Sequence, residues 1–410
     1  MKEPVMQTRH QYLKQIQQHI RELSVNIGER PTGSAANHRA ENYIKQILMR
    51  NKFQVDLQKF NCIDWEKGET TLSTGATRFR AEPSPYSLPC DLQANIEVIE
   101  NIAQLEQVDL SGKIALLRGE LTQEPLMPKN FRFYNPEHHQ KIIGLLEAKK
   151  PIALLTASLS DAHLVPVFED GDFDIPSAVV STYDANIIAQ SDLPIHLKIT
   201  SRRQQAIGAN VIARKNQTSQ NKLVVTAHFD TKPGTSGALD NAVGVTVLLT
   251  LSEMFKDISL TDVGLELVAF NGEDYFSTPG QISYLDAYGG EFDRINLAVN
   301  CDGLGLNNSK IGVSLMECSD NYVAQVDSIN QAFSNIEKLS PWYQGDHMLF
   351  AAAQVPTLAI TSTEIFNLMD TVIHTKHDQP SLVDPGLVLE ACFFIKEIMN
   401  LRKEQNTPIC

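Results

Sequence analysis

Two rhythms of apolar and polar positions run along this chain. Tyr12, Ile16, His19, Ile20 and Leu23 recur at helical spacing and predict a first helix. The segment Gly28-Glu-Arg-Pro-Thr-Gly33 breaks that pattern. Ser34 then offers a capping oxygen to a second helix, with Tyr43, Ile44 and Ile47 on its apolar side. Phe53-Gln-Val-Asp-Leu-Gln-Lys-Phe60 alternates apolar and polar residues, which is strand behaviour.

From about Cys62 to Arg202 short apolar runs are separated by long polar or Pro-containing loops. Ile114–Leu117, Ile152–Leu155, Ile175–Val180 and Ile195–Ile199 read as strands, and one amphipathic helix is expected near His138 to Lys149. From Ile207 onward strands and helices alternate. Leu223–Ala227, Gly264–Phe270, Asn296–Asn300 and Val355–Ile360 are strand-like. Asn241–Phe255 and about Pro385 to Leu401 are helix-like.

This order predicts an α/β fold with a mixed sheet between helices on both faces, interrupted by an inserted, mostly-β domain. Residues 1–61 and 203–410 would form the main domain, and 62–202 the insert. A length of 410 residues agrees with two domains, since single cores stop growing at roughly 250–300 residues.

Composition narrows the function classes. Apolar residues make up 42% and charged ones 20% of the chain, which is globular and not disordered. The net charge of −14 argues against a nucleic-acid surface, which needs clustered Lys and Arg. The N-terminal stretch has no apolar core of signal-peptide length, and no run approaches the roughly 20 apolar residues that span a bilayer. A cytoplasmic protein without membrane or nucleic-acid partners is therefore expected. Cys62, Cys90, Cys301, Cys318, Cys392 and Cys410 are scattered without a CxxC pair and are read as reduced thiols.

In open α/β sheets ligands sit beyond the carboxyl ends of the strands. Here those positions carry chemistry. His228-Phe-Asp230 follows one apolar run, Glu273-Asp274 follows a second, and Asp302 follows a third. A Gly-rich loop places Asp240 just before a helix, and His374-Thr-Lys-His-Asp378 comes late in the chain. A lone Asp at a strand end is usually a turn or cap. Adjacent carboxylates repel and call for compensating charge. Imidazole nitrogens combined with carboxylate oxygens suit zinc, manganese or cobalt. In two-metal sites one carboxylate bridges the ions, and a further carboxylate outside the coordination shell takes a proton from water.

Taken as a set, His228-Phe-Asp230, Gly237-Ala-Leu-Asp240-Asn241-Ala-Val-Gly244, Phe270-Asn-Gly-Glu273-Asp274, Asn300-Cys-Asp302 and His374-Thr-Lys-His-Asp378 resemble the M28 family of di-zinc aminopeptidases and carboxypeptidases. Arg30-Pro-Thr-Gly-Ser34, Gly345-Asp-His347 with Phe350, and Val355-Pro356 extend the resemblance. Asp109–Gly119 and Ile175–Val180 make the insert similar to a protease-associated (PA) domain.

The resemblance implies a zinc-exopeptidase fold of three layers and two divalent metal ions, zinc first among them. His228 and Asp302 would hold one ion, Asp274 and His374 the other, and Asp240 would bridge them. Glu273 would be the general base, and Asp230 would hydrogen-bond His228. The implied activity is hydrolysis of peptide or small aminoacyl substrates, as an aminopeptidase in preference to a carboxypeptidase. The alternatives are glutaminyl-cyclase chemistry with one metal, and a receptor module that has lost catalysis.

Two positions depart from the family pattern. Asp274 stands where Glu is usual, and Ile373 stands where some relatives carry a Tyr able to bind the oxyanion. Other candidates have plainer readings. His377 is read as a solvated loop residue, and His347 as hydrogen-bonded within the fold. Asp346 is read as a helix cap or a site residue, and Asp378 as a turn residue before Pro380. His10, His19, His138 and His139 are expected to lack carboxylate partners. Trp342 and Tyr343 are read as pocket residues or packing. Gly234, Gly237 and Gly244 are expected to permit close backbone approach, and Cys301 to point into the core.

Overall fold

A computed structural model describes residues 3–160, 163–260, 263–369 and 371–399. Cys410, and the expected end of the last helix at Leu401, lie outside the described residues. The chain divides into two compact units, Met1–Cys62 with Ile207–Cys410, and Ile63–Ala206, beside the expected insert of 62–202.

The larger unit is built on an eight-stranded sheet. Its order is Gln54–Glu66, Arg202–Lys215, Gly264–Phe270, Lys222–His228, Ile295–Cys301, Thr357–Ser362, Ile311–Met316 and Ile336–Lys338. The four strands from Gly264–Phe270 to Thr357–Ser362 run parallel, and each is buried along almost its whole length. That is why their sequences are near-continuous apolar runs and not alternating ones. The flanking strands Arg202–Lys215 and Ile311–Met316 pair antiparallel to them.

Alternate residues of the same strands feed two cores. Leu223, Val225, Ala227, Leu265 and Leu267 pack against helices Glu3–Arg21, Ala35–Arg50, Val243–Phe255 and Pro385–Ile398. Val224, Val268 and Phe270 face the other way, with Tyr284, Phe292 and Phe350. The result is three layers, helix–sheet–helix. The stretch Ala238–Phe255 is apolar enough to cross a membrane by length and composition, but 94% of it is buried inside the fold. It is a core helix. Ser34 caps Ala35–Arg50 by accepting from Asn37 N–H at 3.1 Å. Cys301 is fully buried in the first core.

The smaller unit holds two sheets. Ile96–Ile99, Ile114–Leu117, Ala153–Ala157 and Ser177–Val180 run parallel, and parallel neighbours need crossover connections. Helices Ile102–Gln107 and Glu137–Lys149 occupy the first two crossovers, and Thr182–Ile188 follows the last strand. The first and third were not anticipated, being under two turns long and too short to show a period. A four-stranded antiparallel sheet shares a core with the parallel one through Leu72, Ile195 and Leu197.

The expectation that His138 and His139 lack a carboxylate partner is overturned. Glu124 Oε1 lies 3.0 Å from His138 Nε2 and 3.1 Å from His139 Nε2. Met127 N–H donates to His139 Nδ1 at 3.1 Å, so the His139 proton sits on Nε2, directed at Glu124. That tautomer leaves His139 no lone pair for a cation there. His19 contacts Tyr43, and no carboxylate partner is found for it among the described residues.

Candidate metal centre

Each candidate side chain reaches the site because an apolar strand ends there. His228 is the last residue of Lys222–His228. Asn271-Gly-Glu-Asp274 follows Gly264–Phe270, and Asp302 follows Ile295–Cys301. Asp240 lies in the turn Ala238–Ala242 leading into Val243–Phe255, with a cis peptide to Asn241. His374 lies in the loop after Ile365–Leu368, with φ of +59°, a left-handed backbone rare outside glycine.

The structure brings His228, Asp240, Asp274, Asp302 and His374 into two sets that share Asp240. Asp240 Oδ1 is 3.0 Å from His228 Nε2, and Oδ2 is 3.0 Å from His374 Nε2. Asp302 Oδ1 lies 3.6 Å from His228 Nε2, and Asp274 Oδ1 lies 3.0 Å from His374 Nε2. Each set gathers its three ligand atoms within 4.8 Å of one another. Glu273 Oε2 is 3.9 Å from His228 Nε2 and belongs to neither set.

The donor chemistry fits two cations. His228 is 1% exposed, and neither ring nitrogen makes a hydrogen bond among the described residues. An unmatched buried polar atom costs about 1–3 kcal/mol, a cost that a coordinated ion removes. Five carboxylates crowd these two imidazoles. Burial opposes a charged His228, yet Asp302, Asp230 and Asp240 raise its pKa well above the ordinary range. Burial likewise opposes a charged His374, and Asp274 and Asp240 raise it well above normal. For Glu273, desolvation raises the pKa strongly; His228 pulls against it, and Asp274, Asp346 and Asp302 add to the rise. Asp274 is raised by desolvation and by Asp240. The pocket is short of positive charge.

A second ring of residues holds this geometry. Asp230, fully buried, accepts from Glu273 N–H at 3.2 Å, Asp274 N–H at 3.1 Å and Thr32 Oγ1 at 3.0 Å. Its Oδ1 stands 3.7 Å from His228 Nδ1, too far for a hydrogen bond. Asp230 therefore secures the Glu273–Asp274 backbone more than it orients the imidazole.

Sequence reasoning missed Arg30 and misjudged Asp378. Arg30 is fully buried and donates to the carbonyls of Phe229, Ser236 and Gly237 at 2.5, 2.8 and 2.9 Å. Asp378 is no mere turn residue. It is fully buried, and its two oxygens accept from Leu239 N–H at 2.7 Å and Asp240 N–H at 3.0 Å. Burial lifts its pKa to about 6, against the pull of those two N–H donors.

Asp346 is not a helix cap. Its Oδ1 accepts from Gln281 Nε2 at 2.7 Å, while Oδ2 is buried without a partner among the described residues. Desolvation raises its pKa to about 7. His347 Nε2 bonds the Trp342 carbonyl at 2.9 Å, within the fold. Trp342 packs edge-on against His347 and Phe366, whereas Tyr343 is 73% exposed. His377 is exposed, and Ile373 is buried in the core, so no oxyanion donor comes from position 373.

A Cβ on Gly237 would meet Asp240 O at 2.3 Å, and one on Gly244 would meet Cys301 O at 2.2 Å. Gly234 differs from these two. Nothing lies near it, and only its φ of +86° favours glycine.

Comparison with known proteins places this geometry. Aminopeptidase YwaD of Bacillus subtilis is 25% identical over 348 residues, 82% of this chain and 72% of that one. A glutaminyl-peptide cyclotransferase of Drosophila melanogaster is 23% identical, covering 69% of this chain and 84% of its own. The solved structure of a zinc aminopeptidase from Bacillus subtilis superposes with a TM-score of 0.76 at 22% identity, covering 94% of each chain. Residues 210–398 match the model of peptidase family M28, and His228, Asp240, Glu273, Asp274, Asp302 and His374 all lie inside that segment.

Proposed function

We propose that the chain is a metal-dependent exopeptidase of the aminopeptidase type, in which His228, Asp240 and Asp302 hold one divalent ion and Asp240, Asp274 and His374 hold a second. The observation that carries this is the position of Asp240, with one oxygen 3.0 Å from each imidazole. Zinc suits the N/O donor set. When bound, two such ions lower the pKa of a shared water and polarise the substrate carbonyl.

The chain's own groups do the rest. Glu273, outside both ligand sets, takes the proton of the attacking water at Oε2 and returns it to the leaving amine nitrogen. Its carboxyl is lifted by desolvation and by neighbouring carboxylates, so it holds a proton better than a solvated Glu. Asp230 fixes the backbone beneath Glu273 and Asp274. The aminopeptidase preference is supported by likeness to the Bacillus subtilis aminopeptidase. The unit Ile63–Ala206 is read as a protease-associated type of domain.

A panel of aminoacyl amides and N-blocked peptides, with zinc, manganese or cobalt and a chelator control, tests the activity. Glu273→Gln is expected to keep both ions and to lose roughly 10²–10⁴-fold in turnover. Near-native turnover would remove Glu273 as the base. Release of C-terminal residues from blocked peptides would overturn the aminopeptidase preference. The cyclotransferase relative motivates the second reading. One ion per chain together with cyclisation of N-terminal Gln peptides would favour it, but the complete second set at His374 supports two ions.

A further inference from the structure

A second charged cavity lies at the opposite ends of the strands that carry the metal centre. It encloses about 320 Å³ and is lined by Arg214, Lys215, Lys222, Arg294, Glu266 and Glu291, among others. Lys222 opens the strand that His228 closes, so seven residues of extended chain, roughly 20 Å at about 3.3 Å each, separate the two sites.

The charges in this cavity do not cancel among the described residues. Glu266, 3% exposed, is matched by Arg214 Nε at 2.7 Å and by the Tyr284 hydroxyl. Glu291 is matched by Arg294 Nη1 at 2.8 Å. Asp56 reaches Arg214 Nη1 from outside the cavity at 2.9 Å. Lys215 Nζ donates to the carbonyls of Phe255 and Lys256, at the end of Val243–Phe255.

Lys222 shares its counter-charge with Arg214. It is 9% exposed, and Glu266, already bonded to Arg214, is 3.6 Å away. Arg294 adds an unused donor. Nη2 bonds the Ser219 carbonyl at 2.7 Å, but Nε is buried with no partner among the described residues. Lys222 pairs in register with Ile295, the residue after Arg294, so the two cations stand on neighbouring strand ends. An ammonium that shares a carboxylate at 3.6 Å gains less than a closely paired one, and an unmatched buried guanidinium N–H is costly.

We propose that this cavity binds the phosphate group of a small molecule, held by Lys222 with the Arg294 guanidinium beside it. Phosphate offers several acceptor oxygens and two charges to a guanidinium edge and a point-charge ammonium. The cavity has room for that group and a short organic tail. It offers no face for a nucleobase, since Arg214 covers the Tyr288 ring at 4.9 Å.

Calorimetric titration of the chelator-treated chain with inorganic phosphate and with glycerol 3-phosphate tests this, because removing the ions removes the metal centre as a competing phosphate site. One saturable site per chain is expected. Lys222→Met and Arg294→Gln are each expected to weaken it about tenfold or more, the worth of a charged hydrogen bond. Tighter binding of the ester would identify a phosphomonoester as ligand, and the reverse order would identify free phosphate; both support the site. Hydrogen exchange on the unsubstituted chain reads it independently, with phosphate-dependent protection expected at 214–222 and 288–294. Three outcomes overturn it: no saturable binding, as in a cavity whose charge is matched within the chain; equal binding by both folded variants; or protection confined to other segments.

Discussion

The carboxylate of Asp378 grips the backbone of Asp240. Leu239 N–H and Asp240 N–H donate to its two oxygens at 2.7 and 3.0 Å, across 138 residues of chain. Asp240 in turn points one oxygen at each imidazole. The geometry of the shared carboxylate thus depends on a residue that touches neither ligand set.

Replacing Asp378 by Asn keeps one acceptor oxygen and turns an NH₂ group toward the other N–H donor. Asp378→Asn should therefore loosen Asp240 and weaken metal affinity by about 10–100-fold, the usual cost of losing a group that orients a ligand. A competition titration of zinc against a chromophoric chelator measures it. Unchanged affinity would show that the Asp240 turn holds itself.

Metal stoichiometry separates shared from single ligands. Asp240→Ala is expected to lose both ions, whereas Asp274→Ala should lose one and leave the set of His228, Asp240 and Asp302. Asp274→Glu restores the residue usual in the family, but here Asp274 Oδ2 accepts from Lys232 N–H at 3.1 Å while Oδ1 faces His374. One more methylene cannot keep both contacts, so Asp274→Glu should bind two ions, one of them more weakly. Elemental analysis after dialysis reads all three variants. Full occupancy in Asp240→Ala would exclude a bridging carboxylate.

Much of this site is legible in the sequence for a physical reason. A parallel sheet buried on both faces demands continuous apolar runs, so His228, Glu273, Asp274 and Asp302 stand out as the first ionisable groups after them. What escapes is anything that acts through the backbone. Asp378 before Gln379-Pro380 reads like any turn aspartate, and its partners lie far away in sequence. Glu124 meets His138 and His139 across a loop with no pattern of its own. The helix Pro279–Tyr288 escaped because it opens with Pro-Gly, a pair that reads as a turn, although proline is well suited to a first helical turn.

Arg30 belongs to the same hidden class. Its guanidinium donates to the Phe229 carbonyl before the Gly234–Gly237 loop and to the Ser236 and Gly237 carbonyls within it, as well as to Gly28 O at 3.1 Å. Burial lowers its pKa to about 10, opposed by Asp230, Asp378, Asp240 and Asp274, so it stays charged at neutral pH. Lysine would supply the charge but not the fork of donors. Arg30→Lys leaves at least one buried carbonyl unmatched, at about 1–3 kcal/mol each. It should lower the melting temperature with the metals chelated as well as with them bound. A loss seen only in the metal-loaded protein would assign Arg30 to the metal centre alone.

Far from that centre, His19 gives the chain a separate acid sensitivity. It is 9% exposed, its Nδ1 lies 2.6 Å from the Tyr43 hydroxyl, and burial lowers its pKa to about 4, with Arg50 adding to the drop. The unfolded chain protonates it near the ordinary value of about 6.5. Because the folded pKa is the lower one, the unfolded state binds the extra proton as pH falls below about 6.5, and stability declines until about pH 4. The full drop is roughly 3 kcal/mol, taking about 1.4 kcal/mol for each unit of separation. Acid also strips metal from carboxylates and imidazoles, so the wild-type curve alone cannot isolate this residue. The informative quantity is the stability difference between wild type and His19→Gln, both metal-free, by urea unfolding at pH 5 and pH 7.5. The variant should be the less stable at pH 7.5, having lost the Tyr43 contact, and the gap should narrow at pH 5. A gap that stays constant with pH would mean that His19 is free to protonate in the folded chain.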